Sequence, residues 1–185
     1  MADASDPLVW PRERSEPAGE FRHFRVRRDW NRSPDDGAVR DFYVLEMPDW
    51  VQVIALTPAG RFVMVEQFRP GSRTVTTEFP AGLVEEGETA EECAARELEE
   101  ETGHRGDRVE VIGEVLPNAA LQNNRLFIVL INDCRPTGAR DEDPGELIRP
   151  LEADPGEIDA MIADGRFRDA YGIVAWDFYR RWNRG

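Results

Sequence analysis

Glu97, Glu100 and Glu101 stand three and four residues apart, so a helix carrying them puts all three carboxylates on one face. Two readings of such a face compete. The simpler is a solvated acidic surface, because like charges at this spacing cost a helix only about 0.2–0.5 kcal/mol per pair in water. If the face is partly buried, two carboxylates ~6 Å apart repel by roughly 3 kcal/mol at an effective dielectric near ~20. A hard divalent cation removes that repulsion, and oxygen ligands suit magnesium. The chemistry on offer is then metal-assisted hydrolysis, in which the ion takes up charge and acidifies water.

The helix that must carry the acids is signed at both ends. Thr89 stands at the N-cap and Glu92 three residues on, the capping-box pattern. Gly103 follows the last helical position, where a left-handed residue is needed. Ala90, Ala94 and Leu98 recur every four residues and form an apolar stripe on a different face. Arg96 is the only cation in the segment. Ahead of it, Pro80, Gly82 and Gly87 make a turn that brings backbone carbonyls beside the helix.

The spacing narrows the choice. Five residues separate Gly82 from Glu88, and seven more lead to Arg96-Glu97-Leu98-Glu99-Glu100-Glu101-Thr102-Gly103. This resembles the Nudix box, G-x5-E-x7-R-E-U-x-E-E-x-G-U, with U a bulky aliphatic. Only the last position departs: His104 stands where an aliphatic is usual, at a place that packs rather than catalyses. The lead-in Glu78-Phe79-Pro80-Ala81-Gly82 is similar to that of the ADP-ribose and nucleotide-sugar pyrophosphatase branch.

The resemblance implies the Nudix fold, an α/β/α sandwich with a mixed sheet, plus an N-terminal β-hairpin that commonly dimerises. It implies that Glu97 and Glu101 ligate Mg²⁺, or Mn²⁺, with Glu100 taking part and the Ala81 carbonyl completing the shell. Gly82, Glu88, Arg96 and Gly103 then have structural parts, Arg96 holding Glu88. Glu146 is the nearest match to a catalytic glutamate carried on a loop before a strand, and Glu142 is the fallback. Arg69, in Glu66-Gln67-Phe68-Arg69-Pro70, resembles the branch's diphosphate-binding arginine; a guanidinium fork suits a diphosphate. A surface ion pair is the plainer reading of the same residue. Glu78 is expected beside the metals' water or the substrate. Trp30 and Trp50 are candidates for stacking a base.

The expected reaction is hydrolysis of the diphosphate of ADP-ribose, or of a related nucleoside diphosphate sugar, to a nucleoside monophosphate and a sugar phosphate. Two alternatives stand beside it: a hydrolase preferring GDP-mannose or another nucleotide sugar, and a Nudix-fold sensor that binds a nucleotide sugar without cleaving it.

The composition removes other classes. The 185 residues carry a net charge of −14, which argues against a nucleic-acid partner. The chain has no lysine, which excludes Schiff-base and P-loop lysine chemistry. Two histidines make a His-rich zinc site a poor reading, and Cys93 and Cys134 do not make a disulfide framework. No apolar run approaches the roughly 20 residues that span a bilayer, and the first residues lack a signal-peptide pattern, so a cytoplasmic location is expected.

Along the chain, residues 1–20 are rich in Pro, Glu, Asp and Ser and read as a mobile segment. Residues 21–46 read as the hairpin, Phe21–Trp30 and Val39–Glu46 about an Asp-Gly turn, with Arg22, Arg25, Arg27 and Arg28 crowding its first strand. Those arginines fit either a phosphate or partner surface or ordinary strand polarity. Residues 47–185 read as the hydrolase domain. Its strands are expected at Trp50–Leu56, Arg61–Phe68, Thr74–Phe79, Val109–Leu116, Arg125–Ile131 and Leu147–Ile148, and its closing helices at Pro155–Ile162 and Asp169–Trp182. The loop Pro117–Asn124 carries Gln122-Asn123-Asn124, amides that either help choose the substrate or hold the loop itself.

Overall fold

The computed structural model describes residues 6–138 and 147–184. They form two compact units. One runs to Pro48 and takes in Leu116–Asn124; the other comprises Asp49–Val115 and the residues from Arg125 onward.

The first unit is a three-stranded antiparallel sheet of β1 (Arg12–Glu20), β2 (Arg25–Arg32) and β3 (Val39–Glu46), in that order. Of the expected hairpin, β3 has the expected bounds, while β2 begins at Arg25 rather than Phe21 and runs on to Arg32. Residues 12–20 form β1 rather than a mobile segment. Their composition is that of a polar edge strand, and charged pairs hold it: Arg32 to Glu13, and Arg12 and Ser15 to the buried Asp29. The arginines of β2 are spent inside the sheet. Arg25 pairs with Glu20, Arg27 with Asp29 and Glu46, and Arg28 with Asp41. Ordinary strand polarity therefore accounts for Arg25, Arg27 and Arg28, while Arg22 lies ahead of the strand. The amides of Leu116–Asn124 tie that loop to the segment that follows β3. Asn123 Oδ1 accepts from Met47 N at 3.1 Å, and Asn124 Nδ2 donates to the Pro48 carbonyl at 3.0 Å.

In the second unit come β4 (Trp50–Leu56), β5 (Phe62–Arg69), β6 (Thr74–Glu78), β7 (Ala81–Leu83), α1 (Ala90–Thr102), β8 (His104–Arg105), β9 (Arg108–Val115), β10 (Leu126–Asn132), β11 (Arg135–Pro136), β12 (Ile148–Ala153), α2 (Pro155–Asp164) and α3 (Ala170–Trp182). The main sheet runs β12-β5-β4-β10-β9, with β6 on β5 and β7 on β4. It is mixed, because β10 is parallel to β4 and the other pairs are antiparallel.

Strand alternation builds the sandwich. Val51, Val53 and Ala55 of β4 and Val129 and Ile131 of β10 pack with Cys93, Ala94 and Leu98 of α1. The residues between them, Ile54, Ile128 and Leu130, pack on the other face with Ile158 and Met161 of α2 and Ala175 and Trp176 of α3. The apolar stripe of α1 is thus its buried face, and full burial of Leu98 contributes about 1.5–3 kcal/mol. Thr89 caps α1 with the reciprocal Glu92 bond, and Gly103 ends it at φ 68°. His104, at the departing motif position, is buried, and its Nε2 has no hydrogen-bond partner. Cys93 and Cys134 are free and buried. No described helix is long and apolar enough to cross a membrane.

Candidate metal and diphosphate site

The site grows from a split in the sheet. β4 and β5 pair only at Ala55–Val63 and Leu56–Phe62. Beyond that, β5 turns to β6 and β4 to β7, and Glu78-Phe79-Pro80-Ala81 crosses the gap. Two bonds fix the crossing. Gln52 Nε2 donates to the Phe79 carbonyl at 2.9 Å, and Val53 N donates to the Pro80 carbonyl at 2.8 Å.

This places the glycine of the motif under the helix. Gly82 is paired with Val51, whose side chain faces α1, so Gly82 faces α1 as well. The Glu97 carboxylate lies directly on it: a Cβ at Gly82 would fall 1.8 Å from Glu97 Oε1. Glu101, one turn on, is only 6% exposed, and its Oε2 accepts a 3.3 Å hydrogen bond from Ala81 N. Both acids are therefore held against β7 rather than turned out to bulk water.

Arg96 organises the rest. Its Nε and Nη2 grip the two Glu88 oxygens at 2.9 and 3.0 Å, and Nη2 also reaches the Leu83 carbonyl at 3.2 Å. Its Nη1 donates to Glu97 at 2.8 Å and to Glu100 at 3.0 Å. The motif implies only Glu88 as the partner of Arg96, and the structure adds Glu97 and Glu100. The three acids hold the guanidinium firmly charged, and Arg96 in turn lowers the Glu88 carboxyl below its ordinary range.

A divalent cation is implied by the motif, and the donor set fits one. Glu97, Glu100 and Glu101 offer hard oxygens, and the bare Gly82 lets the Glu97 carboxylate meet the backbone. Among the described residues no three His, Cys, Asp or Glu side chains already converge as a metal site. Arg96 Nη1 bridges Glu97 and Glu100 and supplies the positive charge there. A cation held by Glu97 would compete with that bridge, while the Glu88 grip is independent of it.

Arg69, at the end of β5, forks onto Glu78 at the end of β6: Nε to Oε1 at 2.9 Å and Nη2 to Oε2 at 2.6 Å. Glu78 is 5% exposed, and the Arg69 side chain is 44% exposed. The plainer reading of Arg69, an ion pair, is the one the structure shows, and the side chain still presents an open edge. Glu101 and Asp169 lie near enough to reinforce its charge. Asp169, the N-cap of α3, accepts from Gly172 N at 2.6 Å. Burial pushes its carboxyl above the ordinary range, and the neighbouring Glu78 adds to the rise.

Trp50 packs against Tyr171 with ring centroids 5.2 Å apart, and its Nε1 is buried without a partner. Trp30 belongs to the first unit, where the guanidinium groups of Arg14 and Arg28 lie over its ring at 3.5 and 4.5 Å. Its ring is already engaged. Glu142 and Glu146 lie outside the described residues. Burial pushes both cysteine thiols up to about 12, so neither is poised as a nucleophile. Thr76, Asp169 and Tyr171 join this neighbourhood unannounced by the motif; for Asp169 the sequence signal was its place just before a helix.

Comparison with known proteins agrees with this geometry. Residues 48–168 match the model of the NUDIX domain. An ADP-sugar pyrophosphatase of Mus musculus is 34% identical over 119 residues, 64% of this chain and 48% of the mouse protein. An ADP-ribose pyrophosphatase of Bacillus subtilis (strain 168) is 42% identical over 110 residues, 59% of this chain and 60% of that protein. The chain thus spans about half to three fifths of these relatives. A crystal structure of an ADP compounds hydrolase superposes with a TM-score of 0.84 over 95% of each chain at 20% identity, which shows a shared fold. A motif complete but for its final aliphatic, the split sheet beneath it and a family match covering most of the chain place this protein in the Nudix family.

Proposed function

We propose that the chain hydrolyses the diphosphate bond of ADP-ribose or a related nucleoside diphosphate sugar, in a reaction that requires Mg²⁺ or Mn²⁺. The observation that carries this reading is the seating of Glu97 and Glu101 against the Ala81-Gly82 backbone, with Arg69 beyond the same turn. Relatives named for ADP-ribose and ADP-sugar hydrolysis support the substrate class.

Glu97 and Glu101 would hold the cation, with Glu100 assisting and the Ala81 carbonyl completing the set. When bound, the cation supplies counter-charge for the diphosphate and lowers the pKa of attacking water. Arg69 holds a diphosphate oxygen on its open edge. Trp50, backed by Tyr171, offers an aromatic wall to the substrate. Glu146, or Glu142, positions and deprotonates the water. Arg96 and Glu88 fix the loop to the helix, so that Glu97 keeps its place on Gly82. A homodimer is part of the reading, supported by Phe42 and Tyr43, which are exposed on the edge strand β3. A cytoplasmic location fits the two free cysteines.

The test is a panel of nucleoside diphosphate sugars and dinucleotides with Mg²⁺ or Mn²⁺, products separated by chromatography. AMP and ribose 5-phosphate from ADP-ribose are expected, with GDP-mannose slower, and Glu97→Gln is expected to lower kcat by at least ~100-fold. Tight binding of ADP-ribose with no product over hours would show a sensor instead.

A further inference from the structure

The strand register gives Thr76 a place that the motif does not assign. Directly paired residues of β5 and β6 share a face of the sheet, and residues two apart on one strand do too. Arg69 is paired with Thr74, Gln67 with Thr76, and Val65 with Glu78. Arg69, Thr76 and Glu78 therefore lie on one face, and Thr76 stands between the arginine and the glutamate. Arg69 leans along the hairpin past Thr76 to reach Glu78.

Thr76 is bonded into this pair. Its Oγ1 donates to Glu78 Oε1, the same oxygen that receives Arg69 Nε. The Gln67 carbonyl also lies 3.3 Å from the hydroxyl. A hydroxyl has one proton, and the anionic acceptor makes the stronger bond, so Glu78 takes it. Glu78 is nearly closed to solvent, and these donors are what fix its carboxylate. With Nε and Nη2 committed to Glu78, Arg69 keeps only the edge that includes Nη1 for a ligand. The direction of that edge follows from where Glu78 is held.

We propose that Thr76 is a positioning residue of the diphosphate site: through Glu78 it aims the open edge of Arg69. Glu78 then acts as the anchor of Arg69 rather than as a substrate ligand. This rests on the reading of the site as one that binds a nucleoside diphosphate sugar. The link runs from hydroxyl to carboxylate to guanidinium, and the ligand is the diphosphate.

The experiment is a double-mutant cycle on binding of a non-hydrolysable probe, α,β-methylene ADP-ribose with Mg²⁺, followed by calorimetry, with ADP-ribose kinetics alongside. Thr76→Val keeps the shape and removes the hydroxyl. It is expected to weaken probe binding about five- to tenfold, the scale of one ordinary hydrogen bond. Thr76→Ser keeps the hydroxyl and should stay within about twofold of the parent protein. Arg69→Ala should weaken binding further, and in that background Thr76→Val should add nothing, because the only route from Thr76 to the ligand is gone. A merely structural role would lower Tm and leave the cycle additive. Additivity, or equal losses in the Val and Ser variants, would overturn the proposal. A parent protein that hydrolyses ADP-ribose while the cycle is additive sinks this inference alone. A parent protein that neither binds the probe nor cleaves any member of the panel sinks the functional reading and this inference with it.

Discussion

Gly82→Ala is the substitution that the site resists most sharply. The glycine has no unusual φ, so alanine meets no backbone penalty there. The obstacle is space. The added Cβ would lie 1.8 Å from Glu97 Oε1, 1.9 Å from Cδ and 2.4 Å from Cγ, where ordinary contact begins at 3.4 Å. Glu97 must therefore withdraw by about 1.6 Å, or β7 must move away from α1. Overpacking of this kind costs about 1–3 kcal/mol of stability, which a domain of this size survives. The catalytic cost is larger: a displacement of ~1 Å in a group that positions reactants lowers the rate about 100-fold. The expected result is a folded protein, its Tm lowered by a few degrees, with kcat on ADP-ribose down by about 100-fold and divalent-ion affinity reduced. The assay is steady-state hydrolysis over a range of Mg²⁺ concentrations, with circular dichroism to follow folding. If Gly82→Ala retained kcat within about twofold at every Mg²⁺ concentration, the claim that Glu97 works from the surface of Gly82 would be wrong.

Two further substitutions test the surroundings. His104→Leu restores an aliphatic where the buried imidazole leaves Nε2 unpartnered. It should stabilise the fold by about 1 kcal/mol and raise Tm by about 2–4 °C in thermal unfolding, with activity unchanged. A fall in Tm would show that the Nδ1 contact with Thr102 matters more. Asp169 has a carboxyl raised by burial and by Glu78, so it favours the native state while protonated. Its stabilising share is complete below the ordinary value of 3.8 and is lost as pH rises through the elevated native value. Asp169→Asn keeps a capping side chain and should be more stable than the parent protein at pH 7, the two converging in acid. Denaturant titration at several pH values measures this, and parallel curves would refute it.

Much of the second unit was legible because its signals are local. α1 could be bounded at Thr89 and Gly103 because both caps are written in the chain. The two faces of β4 and β10 follow from their apolar runs and the sandwich that must cover them. Glu97 and Glu101 meet the Ala81-Gly82 backbone because spacing along one turn and one helix decides it. What stayed hidden depends on partners distant in sequence. Residues 12–20 read as unstructured by composition, yet an edge strand needs only pairing on one side, and β2 supplies it. The Arg69–Glu78 pair is set by the register of β5 on β6, which single residues do not reveal. Asp169 reaches the same pair only because α3 begins beside it. The motif pairs Arg96 with one acid, yet it holds three, since a guanidinium with five N–H groups can divide them.

The central claim is that Glu97 and Glu101 together hold a divalent cation. Mn²⁺ binding followed by electron paramagnetic resonance measures it directly, without substrate or turnover. The parent protein should bind Mn²⁺ saturably, and the double variant Glu97→Gln, Glu101→Gln should lose that binding while remaining folded. Equal Mn²⁺ binding by the two proteins would contradict the account.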